Sequence, residues 1–384
     1  MISDQKKHLQ FALLSIILLA NLMGMFGMHF FGEHIIWLSI KDLILVLLLA
    51  GNLIVFRVLP KNYVLCTLPF LFFLGVSFLS SEAATMAKVA SSRQALVPFA
   101  IGLLGFYLGS SQEMSRQFIR WHLHALYLLI ACSILVYLGL QFEILPIAEY
   151  AKSKSLILSY YDVPYMYYDS LTGNMIRNVS SFLDPINMGH AMVFLFVYGL
   201  YKAKYSKALL LMIALSLLLT TSKGAVLHLV LALFILERNR FPKWMQYIAF
   251  GSLVPLLILA SSLHPGVALH LEGFTEALTH LSFFGEDLAR TGNQALMYGN
   301  DVALPIFDTF IGGIMGQFGL VGLLLWLAPF IFILNKIRKQ QWLFVLLLVQ
   351  LLVACISENT FNFGSIFFLM LSCGYYLRSS RANG

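Results

Sequence analysis

Apolar residues are not scattered along this chain; they fall into long runs separated by short basic patches. A run of about 20 apolar residues, coiled as a helix, crosses about 30 Å of hydrocarbon. Read this way, the chain predicts about 12 spanning helices, over residues 10–31, 43–56, 63–80, 95–111, 122–140, 186–201, 208–220, 224–236, 244–262, 305–334, 342–357 and 361–377. The seventh and eighth are short, about 20 Å each at the helical rise per residue, and are expected to form a hairpin with Lys223 at its tip.

Composition agrees with that reading. Of 384 residues, 59% are hydrophobic and 11% charged, against about 25% charged in an ordinary soluble domain. A secreted enzyme, a nucleic-acid binder and a disordered tail are excluded, and the expected fold class is all-α, a polytopic integral membrane protein forming a single membrane domain over 1–384. The net charge of +7 matters less than where the charges sit. With the amino terminus inside, the inner segments collect 17 of the 25 basic residues, from Lys6 and Lys7 to Arg378 and Arg381. Of the acids only Asp4, Glu113 and Glu237 fall there. This bias predicts that both termini are cytoplasmic. Fusing the seventh and eighth runs would push Arg238, Arg240 and Lys243 outside, so the hairpin is kept. The first run lacks a small-residue cleavage site and is expected to be a retained anchor. Cys66, Cys132, Cys355 and Cys373 all fall within spans, and no disulfide is expected.

Two outer segments are long, 141–185 and 263–304, and long loops in a compact protein are usually functional or disordered. Here composition argues for order. The first is rich in tyrosine (Tyr150, Tyr160, Tyr161, Tyr165, Tyr167 and Tyr168), which suits either an aromatic belt at the water boundary or stacking against sugar rings. The second carries Val267, Leu271, Phe274, Leu278 and Leu281 at helical spacing, the pattern of an amphipathic helix on the membrane surface. His264, His270 and His280 share that loop, but their spacing fits no metal-ligand pattern, and no metal is expected.

Cations on the side where cations are scarce need a reason to be there. They are Lys41, Lys88, Arg93, Lys152, Lys154, Arg177, Lys223 and Arg290. Each could serve as an ordinary headgroup contact or salt bridge. Arginine also offers a planar fork of donors matched to phosphate oxygens at any physiological pH. Arginines from three separate outer segments, Arg93, Arg177 and Arg290, favour a convergent anionic site such as one for a lipid pyrophosphate.

Arg93 before Pro98, the stretch Arg177–Gly189 and the stretch Thr220–Gly224 together resemble the bacterial O-antigen ligase and Wzy-type polysaccharide polymerase superfamily. Arg177-Asn178-Val179-Ser180-Ser181-Phe182-Leu183-Asp184-Pro185-Ile186-Asn187-Met188-Gly189 is similar to the family's arginine, phenylalanine and Pro-Asn-x-x-Gly helix start, with one residue inserted between proline and asparagine. Thr220-Thr221-Ser222-Lys223-Gly224 resembles its Thr-x-Ser-Arg-Gly hairpin, with lysine replacing arginine. Arg93, five residues before Pro98, matches a basic-then-proline motif. The ligase branch carries a late histidine ahead of Gly-x-x-Gly; that register places Asp308 at the histidine, Thr309 beside it, and Gly319 and Gly322 at the glycines. The missing histidine favours polymerase over ligase.

The resemblance implies a GT-C-like fold in the bacterial inner membrane and glycosyl transfer at its periplasmic face. The glycan would leave undecaprenyl pyrophosphate for the sugar of another lipid-linked repeat unit, with no cofactor, nucleotide or nucleic acid involved. Membrane lipid and a chain-length regulator are the further partners it implies. Arg177 and Arg290 are the expected pyrophosphate clamps, with Arg93 as a third cation and Lys88 and Lys223 in support. Asp184 and Asp308 are candidates to bind or deprotonate the acceptor hydroxyl, and equally candidates for helix capping. Tyr165 and Tyr168 are the candidate sugar-stacking residues. A flippase or transporter is the main rival, since twelve helices with both ends inside is a common transporter plan. Against it, the two halves show no evident repeat, and the ionisable residues gather at the outer edge rather than the midplane.

Overall fold

The computed structural model describes residues 2–32, 35–56, 59–109, 112–142, 144–145, 177–248, 251, 265–292, 306 and 309–382. Among them the secondary structure is helical, with no strand. The helices are α1 (Ile2–Phe31), α2 (Ile35–Phe56), α3 (Lys61–Ser80), α4 (Thr85–Leu108), α5 (Gln112–Gln141), α6 (Pro185–Tyr198), α7 (Lys207–Leu218), α8 (Lys223–Leu236), α9 (Pro265–Thr279), α10 (Phe310–Ile337), α11 (Gln341–Val353) and α12 (Phe363–Ala382). Five stretches, Leu9–Phe31, Lys61–Ser80, Thr85–Leu108, Arg116–Gln141 and Phe310–Ile337, are long and apolar enough to cross a membrane. The chain is an all-α, multi-pass membrane protein. The run expected over 244–262 falls mostly outside the described residues.

Several helices begin earlier than the apolar runs. α4 starts at Thr85 and α5 at Gln112, about ten residues ahead of the hydrophobic stretches at 95 and 122. Their first turns are polar yet made of good helix formers, so the helix continues where hydropathy falls. Lys88 and Arg93 therefore sit on α4 rather than in a loop. Pro98 lies within the same helix, which is tolerated where neighbouring groups satisfy the freed backbone.

The chain divides into two compact units, the first made of residues 1–60, 98–226 and 363–384, the second of 61–97 and 227–362. In the first unit, α12 packs along α6 and α4. Glycines let the backbones of α4 and α12 approach closely. A Cβ added at Gly374 would lie 1.9 Å from the Gly102 carbonyl oxygen, and one at Gly105 would lie 2.1 Å from that of Leu371. With no hydrophobic drive between helices in lipid, such close backbone approach and the dispersion it permits are what hold helices together. Met25, Val136, Val179 and Leu183 form a buried apolar cluster in this unit.

In the second unit, α3 lies against α10, with Phe70 and Phe73 edge-on to Phe318 at 5.7 and 6.2 Å. α9 packs on α10 through Ala277, fully buried, while Leu269 and Leu278 stay exposed. α10 is not one continuous helix: Gly319 breaks it with φ 64° and ψ −164°.

Gly374→Ala is expected to destabilise the protein by about 1–3 kcal/mol, the usual cost of overpacking. Gly51→Ala, whose added methyl meets no atom within 4 Å, should cost nothing. Thermal unfolding of the detergent-solubilised chain measures both.

Candidate functional site

In the first unit, Arg177 and the segment after it are stitched to the end of α7. Arg177 Nε donates to Thr220 O at 2.9 Å, and the Asn178 backbone N–H donates to Leu219 O at 2.8 Å. The Asn178 amide donates to Ser216 O and Oγ at 3.1 and 2.8 Å. A helix end leaves its last carbonyls without intrahelical partners; here Asn178 and the Arg177 guanidinium supply the donors. The bond through Nε fixes the plane of the guanidinium and uses one of its five donors.

A short 3₁₀ turn, Ser180–Phe182, leads from Arg177 to α6. Ser180 Oγ donates to Leu129 O at 2.6 Å, and Asn21 Nδ2 donates to Phe182 O at 2.7 Å. Lys41 Nζ in turn donates to Asn21 Oδ1 at 3.1 Å. Asp184 is the N-cap of α6: Oδ1 accepts from the backbone N–H groups of Ile186 and Asn187 at 2.8 and 3.1 Å. Asn187 Oδ1 accepts from the backbone N–H and hydroxyl of Ser365 on α12, at 3.0 and 2.9 Å. Gly189 brings α6 onto the α7–α8 hairpin; a Cβ there would lie 2.7 Å from Ala225 Cβ and 3.1 Å from Ser222 Cβ. Lys223 is the exposed first residue of α8. Arg177, Asp184 and the Thr220–Gly224 hairpin thus belong to one packed constellation.

In the second unit, Lys88 and Arg290 lie on elements that are bonded together. Lys88 Nζ donates to Ser81 O at 3.0 Å and lies 5.1 Å from the Phe78 ring centre. Ser81 Oγ donates to Leu288 O at 2.9 Å, and the Glu82 N–H donates to Asp287 Oδ2 at 3.4 Å. Arg290 follows two residues after Leu288, half-buried. Its loop fills the break in α10. The N–H groups of Leu320 and Val321 donate to Ser282 O and Phe283 O at 3.0 and 3.1 Å, and Glu286 N–H donates to Gly316 O at 2.8 Å. Gln317, nearly buried, completes the join: Oε1 accepts from Ala289 N–H at 3.3 Å and Nε2 donates to Thr291 O at 3.2 Å. Irregular backbone inside a membrane helix persists only when protein or water satisfies it, and here a loop does so bond by bond. Arg93 sits half-buried on α4 in the same unit.

Five described residues other than glycine have left-handed backbone: Ser180, Leu183, Lys204, Thr221 and Ala289. Ser180 opens the 3₁₀ turn after Arg177 and Leu183 follows it, Thr221 lies in the Thr220–Gly224 hairpin, and Ala289 immediately precedes Arg290. Each such residue costs about 1–3 kcal/mol and persists only where its surroundings over-determine it.

Asp308, Tyr165, Tyr168 and His264 lie outside the described residues. Thr309 caps α10, with Oγ1 accepting from Gly312 N–H at 3.1 Å and donating to Cys355 O at 2.7 Å. Gly322 serves close approach, since a Cβ there would meet the Phe73 ring at 3.0 Å. His280 Nε2 approaches Glu276 Oε2 at 3.3 Å, one helical turn away. Asn21 and Gln317 were not among the residues expected from sequence, although a polar amide within an apolar run is itself a signal; Asn187 is the asparagine of the Pro-Asn-x-x-Gly resemblance.

Thr221→Gly is expected to raise stability by about 1 kcal/mol by relieving the left-handed strain, read as a higher unfolding temperature. Gln317→Leu should lower stability by about 1–3 kcal/mol, because it strands a backbone donor and a backbone acceptor; amide exchange at Ala289 would accelerate with it. No protein-family model matches this chain, and no curated protein matches it at a significant level.

Proposed function

We propose that the protein is a Wzy-type polysaccharide polymerase, a GT-C-like glycosyltransferase with about 12 membrane crossings. It would lie in the bacterial inner membrane with both termini cytoplasmic and work at the periplasmic face. An acceptor hydroxyl attacks the anomeric carbon of a glycan carried on undecaprenyl pyrophosphate. The new glycosidic C–O bond forms as the bond to the pyrophosphate oxygen breaks. The leaving pyrophosphate keeps the electron pair, and the hydroxyl proton passes to a carboxylate, Asp184 or Asp308. Because pyrophosphate is already a good leaving group, the protein's task is to neutralise developing charge and orient the acceptor. The family expectation is inversion at the anomeric carbon.

The cations assigned to the pyrophosphate are Arg177 and Arg290, with Arg93 as a third and Lys88 and Lys223 in support. Tyr165 and Tyr168 are assigned to the sugars. The observation that supports this reading is local to the first unit: the two segments that carry the resemblance, 177–189 and 220–224, pack on one another, and Arg177 bonds directly to Thr220. A capping role uses Asp184 Oδ1, which leaves the second carboxylate oxygen as the atom to receive a proton.

In a strain lacking the chromosomal gene, Arg177→Ala and Arg290→Ala are each expected to abolish long surface glycan while the protein remains in the membrane. Arg177→Lys should restore chain extension only in part, since lysine lacks the planar fork. Gel analysis of surface glycans decides the class. Capped single units without long chains fit a polymerase, loss of both fits a flippase, and carrier-linked chains that never reach their final acceptor fit a ligase. Wild-type chain length in both alanine variants removes the mechanism.

A further inference from the structure

α4 and the turn after α11 are joined in the second unit by a relay of three side-chain amides. Gln94 Nε2 donates to Asn362 Oδ1 at 3.4 Å, and Asn362 Nδ2 donates to Asn359 Oδ1 at 2.5 Å. Both bonds are internal, so the relay ends in one acceptor, Gln94 Oε1, and one donor, Asn359 Nδ2. Neither end is hydrogen-bonded to another described residue. All three side chains are half-buried, open enough to be reached.

The scaffold beneath the relay is rigid. Phe361, fully buried between Asn359 and Asn362, sits 5.0, 5.3 and 5.5 Å from the rings of Phe310, Trp326 and Phe330. Gln350 Nε2 donates to Thr360 O in the same turn. On the other side, Trp326 Nε1 donates to Ala95 O at 3.1 Å, one residue from Gln94. Polar groups held on a locked scaffold lose little entropy on binding.

The chemistry of the open ends selects a class of ligand. A sugar hydroxyl both donates and accepts, so a neutral array ending in one donor and one acceptor can engage two neighbouring hydroxyls. A phosphate, which only accepts, would leave the acceptor end unmatched. We infer that Gln94, Asn362 and Asn359 form a glycan-binding subsite that takes hydroxyls of the repeat-unit sugar. The inference rests on the transferase reading above and names where that reaction would hold its sugar. Arg93, adjacent to Gln94 in the chain, supplies a cation beside it for a carrier phosphate or an acidic sugar.

The alternative is a purely structural clamp, and Asn359→Asp separates the two. The carboxylate still accepts from Asn362 Nδ2, so the clamp survives, but the donor end is lost. The test uses the full chain in lipid nanodiscs. Its probe is the free oligosaccharide repeat unit released from its lipid carrier by mild acid, followed by saturation-transfer NMR. Asn359→Asp and Gln94→Ala should each weaken binding about tenfold, the loss of one hydrogen bond to a ligand. Gly51→Ala, whose added methyl meets no atom within 4 Å, should leave binding unchanged. Wild-type affinity in a stably folded Asn359→Asp, or no binding by the unaltered protein, overturns the inference. Probe binding in a protein whose deletion strain still makes long chains would remove the transferase reading and leave the sugar site standing. Loss of long chains in the deletion strain without probe binding would do the reverse.

Discussion

A backbone amide or carbonyl inside hydrocarbon must find a partner within the protein, and this requirement shapes both units. Each unpaired group there costs several kcal/mol. The break at Gly319 frees the N–H groups of Leu320 and Val321 and the carbonyl of Gly316, and the Ser282–Thr291 loop takes up all three. At the end of α7 the carbonyls of Ser216, Leu219 and Thr220 are met by Asn178 and Arg177. In both places, satisfying the backbone fixes the segment that bears a candidate arginine.

That coupling explains why the strain falls where it does. A left-handed threonine or leucine is unfavourable in isolation. Thr221 is held because Thr220 O is bound to Arg177, and because the Ser222 N–H donates to Thr220 Oγ1 at 3.2 Å. Ala289 is held because its N–H is claimed by Gln317. The positions are set from outside their own segments, which is the condition under which strained backbone survives.

Helical periodicity and hydropathy made most elements legible, because a bilayer demands long apolar runs and tolerates little else. The starts of α4 and α5 were not, since Thr85–Ser92 and Gln112–Arg120 are helical without being apolar. The Gly319 break was hidden for the opposite reason: 310–334 is apolar but for Gln317, and one glycine among several gives no sign of whether it turns or merely lets Phe318 pack. At the candidate site, Arg177 stood out by charge bias and the Thr220–Gly224 hairpin by resemblance. The long-range partners of the polar amides could not be picked out. Asn21, Asn187 and Gln317 act through partners 26 to 178 residues away in sequence, and such pairs leave no local pattern.

Asn187 shows what that long reach accomplishes. Asp184 has already satisfied the first N–H groups of α6, including that of Asn187 itself, so the Asn187 side chain is released from local capping. It serves instead as the acceptor for the N–H and hydroxyl of Ser365, near the start of α12. A Cβ at Gly364 would lie 2.9 Å from Asn187 Cβ, so only glycine lets the two helix starts come that close. One aspartate cap thus lets the next polar residue bind a helix from the far end of the chain. The helix start that follows Arg177 is thereby tied to α12 as well as to the α7–α8 hairpin. A guanidinium anchored to a segment braced in this way is held in place by the fold itself, which is the preorganisation that the proposed charge stabilisation would need.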